Sequence, residues 1–205
     1  MTSAINENIT GVILVGGKSR RMGQDKAFLK LADRPLLETV LDLFKEKFSS
    51  IMLAGDRAER FSMYDISVVP DIFPGSSLGG IHAALFTAKT GRIFVAPCDM
   101  PFPNSSLINH ICSISGDFDA IVPISPQGYE PLYALYSKAC LEPARKLLEN
   151  DNFRITDLFS AVKTRFIEGE ELASIAGAES AFLNINTPAE FKKLTEIHLS
   201  LTEAK

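Results

Sequence analysis

The sequence predicts an α/β fold built around a mostly parallel central sheet. Three observations carry that expectation. Residues 9–15 (ITGVILV) and 92–97 (RIFVAP) are continuous apolar runs rich in β-branched residues, the pattern of strands buried on both faces. Such runs alternate along the chain with segments whose apolar residues recur at helical spacing. Loops rich in glycine and proline follow the strands, and in α/β sheets ligands bind at the carboxyl ends of the strands.

The elements follow in order. A strand over Ile9–Val15 leads into the basic, glycine-rich loop GGKSRRMGQDK. Pro35 opens a helix carrying Leu37, Val40, Leu41, Phe44 and Phe48 on one face. Ile51–Ala54 and Ile66–Val69 read as short strands, and Pro70–Gly80 as a loop before a helix with Ile81, Ala84, Leu85 and Ala88. The strand Arg92–Pro97 ends at Cys98-Asp99, and Pro103 starts a helix with Leu107, Ile108 and Ile111. Phe118–Pro123 and Pro131–Tyr136 read as strands, followed by a helix from about Ser137 that Pro143 kinks or restarts. Lys163–Ile167 and Ala181–Leu183 read as late strands. Thr187-Pro188-Ala189-Glu190 reads as a capped helix start continued by Phe191, Leu194, Ile197 and Leu201.

Composition narrows the class. At 205 residues, 46% hydrophobic and 22% charged, the chain is an ordinary globular protein, long enough to bury about 70% of its unfolded surface. A single domain over 1–205 is expected. No uncharged apolar run approaches the roughly 20 residues of a spanning helix. Residues 1–8 lack the pattern of a secretory signal. The net charge of −4 argues against a nucleic-acid-coating surface. Cys98, Cys112 and Cys140 are odd in number and far apart, so no disulfide framework or zinc site is implied, and a cytoplasmic location is expected. His82, His110 and His198 are equally scattered.

Four segments hold residues suited to chemistry. In the first loop, Lys18, Arg20, Arg21 and Lys26 outweigh Asp25, and Gly16 and Gly17 let a ligand approach the backbone, a combination suited to a polyphosphate. The spacing fits neither the Walker A motif nor G-x-G-x-x-G, and a solvated basic turn is the plain alternative. Asp99, at the end of a buried strand, suits Mg²⁺ shared with substrate phosphates, or simply caps a turn. Asp71, in PDIFPGSSLGG, can accept from the N1 and N2 donors of guanine, or form an Asx turn. Gly79-Gly80 offers bare backbone to a base or ribose. Asn184 and Asn186 project to the same side of an extended segment and can grip a polar substrate or cap a helix. Glu130 lies in a strand start that can face the same cleft. Cys98 reads as a small buried hydrophobe.

Together these segments resemble the MobA-like nucleotidyltransferases. LVGGKSRRMGQDKAFL is similar to the family signature L-A-G-G-x-S-x-R-M-G-x-D-K-A, and PDIFPGSSLGGIHAAL, VAPCDMPF, GYEPLYALY and NINTPAEF follow in the family's order over about residues 9–195. Val15 stands where the signature usually has Ala, and Ser76-Ser77 where Gly-Pro is common. The family's Asn after the second strand falls near Ala54-Gly55 and is not carried over.

The resemblance implies a three-layer Rossmann-like nucleotidyltransferase fold, with a nucleotide-binding half at about 9–100 and an acceptor-binding half at about 101–200. Within the family the motifs look most like those of the guanylyltransferases of molybdenum cofactor synthesis. That implies GTP and molybdopterin or molybdenum-molybdopterin as substrates and Mg²⁺ as cofactor. Other cofactor-biosynthesis proteins or molybdoenzyme chaperones become candidate partners. It implies that Leu14, Val15, Gly16, Gly17, Lys26, Asp71, Gly79 and Gly80 bind the nucleotide. It also implies that Arg20 lies near the phosphates, that Asp99 holds Mg²⁺, and that Asn184 and Asn186 face the acceptor. The alternatives are a relative using CTP or a sugar-phosphate acceptor, and a non-catalytic GTP-binding module.

Overall fold

A computed structural model describes residues 5–16, 26–31, 34–56 and 58–183, with Lys26 described by its backbone alone. The first strand, β1 (Asn6–Leu14), is buried on both faces over its last six residues, as its apolar run requires. A small antiparallel pair, β2 (Lys30–Leu31) and β3 (Arg34–Pro35), precedes α1 (Leu36–Lys47). The chain then forms β4 (Phe48–Ala54), β5 (Val68–Val69), α2 (Ser77–Thr87) and β6 (Arg92–Pro97). After α3 (Ser105–Ser113) come β7 (Ala120–Ser125), β8 (Gly128–Tyr129) and β9 (Ala134–Ser137). The last described elements are α4 (Leu141–Glu149), α5 (Ile155–Leu158), β10 (Thr164–Ile167) and α6 (Gly169–Ala173).

The main sheet runs β10-β7-β9-β6-β1-β4-β5, with β8 hydrogen-bonded to β7. β1 is parallel to β4 and β6, β4 to β5, and β7 to β10; β9 runs antiparallel to both β6 and β7. The expected mostly parallel sheet is therefore present, and one reversed strand joins its two parallel sets. Apolar residues cover both faces. Ile13 and Phe94 pack on one side with α1, α3 and α6; Val12 and Val95 pack on the other with α2, α4 and α5. Alternate residues of β1 thus feed two cores, the helix–sheet–helix layering of this class.

Several boundaries differ from the sequence reading, each for a physical reason. Phe48 continues the helical spacing of α1, yet it is extended (φ −130°, ψ 134°) and opens β4. Its ring packs on Phe44 and Phe94, 5.1 and 5.7 Å away between centroids, so strand pairing satisfies the same apolar contact. α2 begins inside the expected loop because Ser76 Oγ accepts from Gly79 N at 3.0 Å and caps it. Asn104, not Pro103, caps α3 by accepting from Leu107 N at 2.8 Å. After Ser137 a 3₁₀ turn, Lys138–Cys140, precedes α4, which admits Pro143 in its first turn. Ala181–Leu183 is not a strand: Glu179–Phe182 forms a 3₁₀ turn. The helix expected from Thr187 lies outside the described residues. No helix among the described residues is long and apolar enough to cross a membrane.

Candidate functional site

The parallel strands end together, and main-chain hydrogen bonds keep the ends in register beyond the strands. Val15 N donates to Ala54 O, Gly55 N to Val69 O and Cys98 N to Leu14 O, at 2.9, 2.9 and 3.1 Å. Leu14 and Val15 are buried and feed opposite cores, so this part of the edge offers main chain rather than side chains. Gly55 sits at φ +151°, and a β-carbon there would come within 2.7 Å of Gly16 N; only glycine lets the ends of β1 and β4 close up this way.

Asp71 stands in that gap. A β-carbon on Gly16 would lie 3.9 Å from its Oδ2, and one on Gly80 3.4 Å from its Oδ1. The carboxylate is thus held between the end of β1 and the first turn of α2. Oδ1 is buried and has no hydrogen-bond partner among the described residues. Burial, and secondarily the nearby Asp56 carboxylate, push the Asp71 carboxyl up to about 6. A buried carboxylate oxygen without a donor is costly, and a ligand bringing N–H groups would relieve that cost. Asp56 was missed by the sequence reading; its one signal is the Gly55-Asp56 pair closing a strand whose end faces the same gap.

The two glycines of α2 differ. A β-carbon on Gly79 would lie 2.0 Å from the Phe73 carbonyl oxygen, so the protein's own loop fills the space beside Gly79. Gly80 instead faces Asp71 and Leu14. Asp99 lies half-buried in the turn after β6, next to the end of β1. Among the described residues no three His, Cys, Asp or Glu side chains gather as a metal cage. A carboxylate in this turn fits the way Mg²⁺ is usually held, by one or two carboxylates and the substrate's own phosphates.

Other expected residues fall elsewhere. Lys26 lies in the 3₁₀ turn Lys26–Phe28, but its side chain is outside the described residues. Gly17, Arg20, Asn184 and Asn186 are also outside them. Read in register, the signature's arginine falls on Arg21, the neighbour of Arg20. Glu130 follows β8 at the carboxyl end of β7; β6 and β7 both run antiparallel to β9, so Glu130 lies on the same sheet edge as Asp99, with β9 between their strands. Ser125 Oγ donates to Glu130 at 2.6 Å, and burial raises its carboxyl above the usual range. Cys98 is buried in the core, and burial pushes the Cys112 and Cys140 thiols up to about 12, so neither of those two is a nucleophile at neutral pH. His110 pairs with Glu171 at 3.0 Å, and His198 is outside the described residues.

A parallel sheet edge with closely approached main chain, an unsatisfied carboxylate and a second aspartate one strand further on is where an α/β protein of this layering takes its ligand. Comparison with known proteins makes the class definite. The MobA-like NTP transferase domain matches residues 11–163. A probable molybdenum cofactor guanylyltransferase of Pelotomaculum thermopropionicum is 37% identical over 185 residues, 90% of each chain. A molybdenum cofactor guanylyltransferase of Desulfosudis oleivorans is 32% identical over 90% of this chain and 93% of its own. The crystal structure of molybdopterin-guanine dinucleotide biosynthesis protein A from Archaeoglobus fulgidus superposes with a TM-score of 0.80 at 27% identity, covering 93% of this chain and 99% of that one. The chain belongs to the MobA-like NTP transferase family and is a nucleotidyltransferase.

Proposed function

We propose that this chain transfers GMP from GTP to the terminal phosphate of molybdopterin or molybdenum-molybdopterin and releases pyrophosphate. The observation that carries the reading is the orphaned Oδ1 of Asp71, buried beside main chain at the carboxyl edge of the sheet. Guanine presents two adjacent N–H donors, N1 and N2, to such a carboxylate. The corresponding edge of cytosine presents a carbonyl, which an ionised carboxylate repels. Sites built on such hydrogen bonds reject the wrong partner by up to roughly 10⁴-fold. The names of the relatives point the same way.

The acceptor phosphate oxygen attacks the α-phosphorus of GTP; a new P–O–P bond forms as the bond from that phosphorus to the β-phosphate bridge breaks. A phosphate monoester is largely ionised at pH 7, so no strong general base is required. The protein's part is positioning and charge neutralisation. Asp99 would hold Mg²⁺, which supplies charge neutralisation at the phosphates when bound. Lys26 and the Arg20-Arg21 pair would contact the phosphates, with Leu14, Val15, Gly16 and Gly17 lending main chain. Gly80, and Gly79 behind it, shape the wall beside the base. Asn184 and Asn186 would face the acceptor, in a half running from about 101 to 200. The reaction belongs in the cytoplasm, with cofactor-biosynthesis proteins or molybdoenzyme chaperones as recipients of the product.

The test is acceptor-dependent pyrophosphate release with each of the four nucleoside triphosphates, then GTP and CTP in equal competition. A GMP-linked product is expected. A predominantly CMP-linked product would assign the chain to cytidylyl transfer.

A further inference from the structure

The loop that carries Asp71 is pinned to α2 at three points. Ser76 Oγ accepts from Gly79 N, the Phe73 carbonyl lies where a side chain on Gly79 would have to go, and the Phe73 ring meets the His82 ring edge-on at 5.2 Å and 81°. Gly79 and His82 are three residues apart on one helix face, so Phe73 lies along that face with its main chain on one and its ring on the other. His82 is 3% exposed, and its Nδ1 has no hydrogen-bond partner among the described residues. A buried imidazole that makes no hydrogen bond through Nδ1 is unusual; its ring contact is with Phe73.

We propose that His82 is a positioning residue for nucleotide recognition: its ring holds Phe73 against α2, and the 71–76 segment so held keeps the Asp71 carboxylate in the gap beside Gly16 and Gly80. The proposal rests on the reading of Asp71 as the guanine acceptor. Burial, and then Arg145 of α4, lower the His82 pKa, while Glu149 and Glu142 of the same helix oppose that; the ring is neutral at pH 7 and packs as an aromatic surface. Its nitrogen therefore contributes little to the clamp, and a phenyl ring of similar outline replaces it.

The experiment compares His82→Ala, His82→Phe, Phe73→Ala and the double variant His82→Ala/Phe73→Ala. Steady-state transfer is measured with GTP and with ITP, whose base lacks the 2-amino donor. His82→Ala is expected to raise the GTP KM about tenfold and to erode the preference for GTP over ITP, with the acceptor KM unchanged. His82→Phe restores wild-type values, and the double variant is no worse than either single one, because both act through one contact. The Asp71 carboxyl is also titrated by carbon-13 NMR without nucleotide; in His82→Ala its midpoint falls from about 6 toward the ordinary range as the loosened loop admits water. That readout keeps the clamp testable if guanine recognition by Asp71 proves wrong, which Asp71→Asn with unchanged GTP binding would reveal. The proposal is overturned if His82→Ala lowers thermal stability while the Asp71 midpoint and the GTP-to-ITP preference stay at wild-type values.

Discussion

A half-buried carboxylate with one oxygen left without a donor titrates in a way that separates its structural cost from its use. The Asp71 carboxyl is pushed up to about 6, so between an unfolded value near 4 and that value the folded chain holds the proton that the unfolded chain has lost. Stability from this group is therefore greatest at low pH and falls as pH rises through that window. Asp71→Asn removes the titration, and its urea midpoint is expected to overtake that of wild type on going from about pH 4 to about pH 7. Nucleotide affinity runs the other way, since only the ionised form accepts both guanine donors. Wild-type GTP affinity should rise as pH climbs through about 6, whereas the Asn variant binds weakly with a flat profile. Calorimetric titration in Mg²⁺ across that range checks both slopes. Asp99, half-buried in the turn after β6, is tested by Asp99→Ala. Its transfer rate should fall by roughly 10² or more, the scale for losing charge stabilisation at transferring phosphates. Near-normal turnover in Mg²⁺ would remove Asp99 from the site.

The element that concentrates the most demands is α2. Its first turn is capped by Ser76, its Gly79 accommodates the Phe73 carbonyl, its Gly80 borders Asp71, and its far end is tied by Lys138 Nζ donating to Leu85 O. Ser76→Ala removes one cap and should cost about 1 kcal/mol. Gly79→Ala should cost more, about 1–3 kcal/mol, because the obstacle is main chain that cannot swing aside and must move with the Asp71 loop. The two variants therefore separate in function as well as in urea unfolding. Ser76→Ala weakens GTP binding modestly, and Gly79→Ala loses it together with stability. Equal, small effects from both would mean that the loop is not held by this turn.

At the scale of the molecule, an aromatic column joins the two halves of the sheet. Phe94 of β6 packs on Phe44 and Phe48 on one side and on Tyr133 on the other, and Tyr133 in turn meets Phe182. Tyr133 OH donates to Asn104 O and accepts from Asn104 N, fastening the start of α3 to the same column. Phe94→Ala should cost about 3–5 kcal/mol by leaving a cavity where these contacts meet. At temperatures where the variant stays folded its GTP KM should change little, because Phe94 lies inside the sheet layer and not on its carboxyl edge.

Which residues are buried was largely written in local order. The apolar runs of β1 and β6 and the helical spacing of α1 are properties of neighbouring residues, and they put Gly16 and Asp99 just after strand ends before any contact is known. Phe48 shows the limit, since its spacing suits a helix and only pairing with β1 makes it a strand. The position of β9 between β6 and β7, the approach of Asp56 to Asp71 and the seating of Phe73 on His82 have no local signal. Each joins segments that lie apart along the chain. Periodicity reports which face of an element avoids water, but not which distant surface will cover it; that choice is made when competing long-range contacts are satisfied together.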